Sequence, residues 1–183
     1  QATTGILMAL YYKPTPDTAY DSVKFITSGV TFGWLIRSVH SWGANLMIVT
    51  MILHVVRIFF QAAFKHRREA LWLAGIGLLA VTIGFGFTGY LLPWDQRAYW
   101  ATTVTISIAQ NAPFGSFVAG LMRGGTALGA LTLLRWYAAH VFLLPACLIG
   151  FTVAHLYLMR RHGISGPMRK VDGPAHPFYP FHA

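Results

Sequence analysis

Arg37 to Arg57 reads RSVHSWGANLMIVTMILHVVR, and Arg135 to Arg161 reads RWYAAHVFLLPACLIGFTVAHLYLMRR. Both are long apolar runs flanked by arginine, the pattern of a membrane-spanning helix. Each carries two histidines, His40 with His54 and His140 with His155. At ~100° per residue, a step of fourteen falls about 40° short of whole turns, and a step of fifteen overshoots by about 60°. Each helix therefore aims two imidazoles roughly the same way, ~21–23 Å apart along its axis. If the helices face each other, they offer two bis-histidine sites stacked across the bilayer, one near each surface. Two haems need that arrangement if electrons are to cross a membrane.

Two plainer readings compete. A histidine in a membrane helix also serves structurally, bonding to a carbonyl or a neighbouring helix, although polar groups at that depth are costly and usually have a task. Zinc is the other. Four histidines in two pairs ~21 Å apart cannot close one tetrahedral shell. Axial ligation of two irons fits the matched spacing better.

Composition places the whole chain in the bilayer. Its 183 residues are 55% hydrophobic and only 10% charged, with a mean hydropathy of +0.52. A soluble domain of this size carries far more charge. The net charge of +9 does not indicate nucleic-acid binding, because the basic residues sit at the ends of apolar runs, where they orient helices. The single cysteine, Cys147, lies inside the last run and reads as a small packing residue.

In chain order, the expected fold is an all-α integral membrane protein, a four-helix transmembrane bundle. Residues 1–12 read as the tail of a first span that begins upstream. A polar loop with Pro14, Pro16, Asp17 and Asp21 follows, and residues 19–27 suit a short surface helix. The second span covers about 33–64 and the third about 70–90, joined by a basic turn through Lys65, His66, Arg67 and Arg68. Glycines in the third span usually mean close helix packing. Gly75 and Gly89, however, stand fourteen apart, the same interval as His40 and His54. A flat macrocycle against a helix needs positions without a Cβ, and Gly5 offers another on the first span. Pro93 ends the third span. Amphipathic interfacial helices over 97–108 and 117–122 then fold over the end of the bundle. The last span covers about 132–160, with Pro145 as a kink point. Residues 1–167 form the membrane domain and 168–183 an extended tail, in which His176 and His182, like His162 before it, read as solvated.

Loop charge sets the orientation. Lys65, Arg67, Arg68, Arg160, Arg161, Arg169 and Lys170 face one side against Glu69 and Asp172; Lys13, Lys24, Arg97 and Arg123 face the other against Asp17, Asp21 and Asp95. The first side is cytoplasmic or stromal. His54 and His155 therefore belong near the negative side, and His40 and His140 near the positive side.

The stretch from Gly89 to Gln96, GYLLPWDQ, followed by Tyr99-Trp100-Ala101-Thr102, resembles the signature of cytochrome b from quinol-oxidising bc and bf complexes. Residues 32–40, FGWLIRSVH, resemble it too. The likeness runs from Gly5 to Pro167. The histidine interval of fifteen, Asp95 in the Pro-Trp-Asp-Gln turn, and Gly163 to Pro167 are similar to the split, bf-type version, its N-terminal dihaem half. Ser41 departs from it, since that version has a basic residue there.

The resemblance implies two haem b groups. His40 and His140 would ligate the low-potential one, and His54 and His155 the high-potential one. Arg37 and Arg135 would reach the first haem's propionates, Arg57 and Arg160 the second's, because a carboxylate at low dielectric needs a charged partner; snorkelling to lipid headgroups is the competing role. It also implies a positive-side quinol pocket lined by Phe87, Tyr90, Pro93, Ala101 and Val104. Quinol oxidation would send one electron to a Rieske iron–sulfur protein and on to a c-type cytochrome or plastocyanin-type carrier. The other electron would cross to a quinone on the negative side, coupled to proton translocation. The family's acidic Pro-Glu-Trp-Tyr loop is not in these residues. A second cytochrome b subunit or C-terminal half is the expected partner carrying it, within a homodimeric complex of a bacterial inner membrane or a thylakoid. A covalent haem c on the negative side would need a cysteine before Gln1, and Cys147 does not match it. The rivals are a dihaem membrane anchor of a dehydrogenase, which the Pro-Trp-Asp-Gln turn argues against, and a colourless transporter-like protein.

Overall fold

The computed structural model describes residues 1–65 and 67–163, and they form helices joined by turns. The tail at 168–183, most of the Gly163 to Pro167 ending, His66, His176 and His182 lie outside the described residues. In chain order the helices are α1 (Ala2–Ala9), α2 (Ala19–Ser28), α3 (Gly33–Phe60), α4 (Glu69–Leu91), α5 (Gln96–Gln110), α6 (Gly115–Arg123), α7 (Ala130–Ala138) and α8 (Leu144–His162). A π-helical turn, Ala139–Leu143, joins the last two. Three stretches are long and apolar enough to cross a membrane: α3, α4, and the continuous helix Ala130–His162. The short α1 packs along α3 as the fourth member of the bundle.

α3 stops four residues earlier than apolar continuity suggests, and the reason is a C-terminal cap. Ala62 adopts φ 48°, its N–H bonds the Phe59 carbonyl, and the N–H of Ala63 bonds the Ile58 carbonyl. That is a Schellman motif built on alanine where glycine is usual. α5 starts one residue before its expected place because Asp95 caps it, accepting a 2.8 Å hydrogen bond from the Ala98 N–H. Thr132, fully buried, ties α6 to α7. Its hydroxyl donates to the Arg123 carbonyl at 2.5 Å and accepts from the Gly129 N–H.

α4 is the central span. It packs on α8, on α3 and on the start of α5, and buries Ala74, Leu78, Thr82, Thr88 and Leu91. Much of the remaining core sits at the end where α2, α5, α6 and α7 gather, with Ala19, Ile26, Ala98, Ile106, Ala119 and Leu133 buried. α3 and the last span instead show large apolar side chains outward, among them Trp42, Leu46, Phe142 and Ile149. Those faces suit lipid, where a soluble protein would be polar.

Candidate functional site

The two histidine-bearing spans run parallel, since both start at the α2–α5–α6 end of the bundle. The rings of His40 and His140 lie with centroids 6.4 Å apart. Two imidazoles sharing one ion need about this separation, namely two metal–nitrogen bonds of ~2 Å plus two ring radii of ~1 Å. His54 is paired with His155 at the other end, close enough to interact electrostatically. Among the described residues no group of three or more metal-ligating side chains comes together.

The unequal intervals, fourteen and fifteen, are reconciled by the π turn. A π turn accommodates one residue more than an α turn. It begins at Ala139, so His140 stands at its start and the extra residue falls between the two histidines. The effective step becomes fourteen on both helices. Pro145 explains where it sits. A proline ring clashes with the carbonyl four residues back, here Val141, and a widened turn relieves that clash.

Glycines meet three of the four imidazoles. A Cβ added at Gly89 would stand 2.9 Å from Cε1 of His140, at Gly75 3.2 Å from Cε1 of His155, and at Gly5 3.4 Å from Cε1 of His40. These glycines therefore seat the imidazole rings. Others serve ordinary helix packing: Gly77 meets Phe151, Gly84 meets Leu144, and Gly86 meets Ile48.

The ring nitrogens are oriented by groups that the sequence reading missed. Thr4 bonds Nδ1 of His40 at 2.9 Å, and Thr88 bonds Nδ1 of His140 at 2.8 Å. The Thr4 hydroxyl already donates to the Gln1 carbonyl, and that of Thr88 to the Gly84 carbonyl. Each hydroxyl has one proton, so each must accept from the imidazole. Both histidines then carry their proton on Nδ1 and keep the Nε2 lone pair for a metal. The available signal was a Thr-Gly pair at 4–5 repeated at 88–89. Nδ1 of His155 is buried with no hydrogen-bond partner, and His54 is exposed.

Arg135 donates through Nη1 to the Gly120 and Leu121 carbonyls, closing the C-terminal end of α6. Arg37 makes a long 3.5 Å contact with Thr27. Beside them, Nε1 of Trp136 is buried without a partner, and its ring packs edge-on against Phe87. Tyr90 and Val104 are exposed. Tyr12 bonds the Leu92 carbonyl at 2.6 Å, holding the turn before Pro93.

Opposed histidines with Nε2 free, glycine-seated, between apolar spans, define a helical membrane cytochrome. Residues 1–163 match the family Cytochrome b/b6/petB, and the chain belongs to it. Cytochrome b6 of Mastigocladus laminosus is 46% identical over 169 residues, covering 92% of this chain and 79% of that protein. Cytochrome b6 of Synechococcus sp. (strain RCC307) is also 46% identical, covering 92% and 78%. A chain of a hyperthermophilic respiratory complex III superposes with a TM-score of 0.86 at 34% identity, over 98% of this chain and 50% of that one. The present chain thus spans half the length of that solved chain. It is an integral, multi-pass membrane protein.

Proposed function

We propose that this chain is the two-haem subunit of a Rieske/cytochrome b complex that oxidises quinol on the positive side and reduces quinone on the negative side. Membership of the family makes it a membrane cytochrome subunit of a quinol-oxidising complex. The reading of two sites rests on one observation. His40 and His140 lie ring to ring at one end of the bundle, His54 and His155 lie near each other at the other, and three of the four rings lie against a glycine.

His40 with His140, and His54 with His155, would each hold one haem b through Nε2. When bound, the two haems supply one-electron transfer across the bilayer. The chain's own residues fix the ligands. Thr4 and Thr88 hold the positive-side tautomers, Gly75 and Gly89 give their rings room, and Gly5 lies against His40. Arg37 and Arg57, near the two ends of α3, and Arg160, near the end of α8, would pair the haem carboxylates. Arg135 has further donors beyond the one closing α6, and Trp136 Nε1 adds a neutral donor one residue on. We place the quinol pocket along Phe87, Tyr90, Pro93, Ala101 and Val104, where α4 turns into α5. The acidic Pro-Glu-Trp-Tyr loop, the Rieske protein and the c-type cytochrome come from other parts of a homodimeric complex, which translocates protons as it turns over.

The test is a stepwise redox titration of the purified complex, read in the haem absorption band. Two b-type components with separate midpoints and co-purification of a Rieske protein are expected. A colourless preparation would overturn the reading in favour of structural histidines. Two haems without a Rieske partner would favour the dehydrogenase anchor.

A further inference from the structure

The residue preceding each imidazole-seating glycine differs between the two ends of the bundle. It is Thr4 before Gly5 and Thr88 before Gly89, but Ala74 before Gly75. The consequence is visible at the rings. His40 and His140 have a hydroxyl at Nδ1, 2.9 and 2.8 Å away. His155 has none, and its buried Nδ1 makes no side-chain hydrogen bond. Each of the three rings has a backbone carbonyl near it, from Gln1, Phe85 and, one turn before Gly75, Leu71, so the difference between the ends is the hydroxyl alone. Ala74 is itself buried, at 8% exposure.

We propose that Thr4 and Thr88 are positioning residues that make the His40/His140 pair the stronger electron donor, and that Ala74 leaves His155 the weaker one. An imidazole that donates its Nδ1–H becomes more basic at Nε2. A more basic axial nitrogen favours the ferric state and lowers the midpoint. The positive-side site is therefore biased low and the negative-side site high, so an electron entering at the positive side moves downhill across the membrane. This rests on the two-haem reading, and adds to it a cause for the difference between the sites.

The test uses the whole complex and two substitutions of opposite sense. Ala74→Ser adds a hydroxyl where His155 lacks one, with less bulk than Ala74→Thr, which serves as the second variant. Thr88→Val removes the hydroxyl at His140 while keeping the volume, and Thr88→Ser restores it. Ala74→Ser is expected to lower one midpoint, and Thr88→Val to raise the other. Each shift should be about a tenfold change in the ferric-to-ferrous ratio at fixed potential, which is ~59 mV for one electron. Thr88→Ser should return the wild-type midpoint. Low-spin ferric EPR should show the change at one haem only. Unchanged midpoints at full haem content in both Ala74→Ser and Thr88→Val would overturn the proposal, as would shifts in the same direction. A wild-type complex without haem would overturn the two-haem reading itself, a result the haem assay distinguishes before any titration.

Discussion

Gly89 is where a single methyl group has most to displace. The added Cβ would stand 2.9 Å from the His140 ring, which Thr88 holds by Nδ1 from the adjacent position, so the ring has little freedom to yield. At Gly75 the distance is 3.2 Å, and no threonine hydroxyl ties His155 by Nδ1. At Gly5 it is 3.4 Å, an ordinary contact. Alanine substitutions should therefore lower the haem-to-protein ratio in the order Gly89, Gly75, Gly5, with Gly5→Ala close to wild type. Gly150→Ala, with nothing within 4 Å, is the control and should be silent. The same haem assay checks the pairing of the ligands. His40→Leu and His140→Leu should each abolish one and the same redox component, and His54→Leu and His155→Leu the other. Losses distributed along a helix instead of across the pair would contradict the facing geometry. The histidines were legible from the sequence because their spacing is a periodic signal. Thr4 and Thr88 were not, because a threonine inside an apolar helix usually bonds its own helix, as Thr82 does to Leu78. Only the position of the neighbouring imidazole reveals the second bond.

The helices themselves were largely legible, since apolar length and the proline and glycine breaks mark them. Their ends depended on local geometry that composition does not encode, such as the left-handed Ala62 and the side-chain cap of Asp95. Asp95→Ala should cost about 1 kcal/mol, the usual worth of an N-cap, read as a lower thermal midpoint in detergent. Ala62→Gly should raise that midpoint, because a non-glycine residue in the left-handed region carries about 1–2 kcal/mol of strain. The π turn was missed altogether, although Pro145 had marked its place. An interval of fifteen in a regular helix leaves the two rings ~100° from where an interval of fourteen would put them, and only a widened turn removes that difference. Deleting Phe142, 69% exposed in the π turn, together with Pro145→Ala, should leave a regular helix with an interval of fourteen. Both haems should be retained. Deleting Gly150, which lies in α8 outside that turn, keeps the bulge and rotates His155 by ~100° against His140. The negative-side component should then disappear from the titration.

At the scale of the whole molecule, the bundle's direction in the membrane follows from how its charges divide. One end gathers Lys65, Arg67, Arg68, Arg160 and Arg161 against Glu69, where α3 and α8 finish and α4 begins. The other end, built from the loop after α1 and from α2, α5 and α6, carries Lys13, Lys24, Arg97 and Arg123 against Asp17, Asp21 and Asp95. Short basic loops are retained on the cytoplasmic or stromal side, so the first end lies there and the His40/His140 pair lies near the opposite surface. That would place the pair proposed to be lower in potential beside the quinol pocket proposed at the α4–α5 turn, as the downhill direction of transfer requires. Lys24 and Arg161 are exposed at the two ends and report the sides directly. In a background with Cys147→Ser, a cysteine replacing Lys24 should react with a membrane-impermeant maleimide added to sealed right-side-out vesicles. One replacing Arg161 should react only after the vesicles are opened. The reverse pattern would invert the bundle, put His54 and His155 at the quinol-oxidising surface, and require the electron to leave last the pair proposed to be lower in potential.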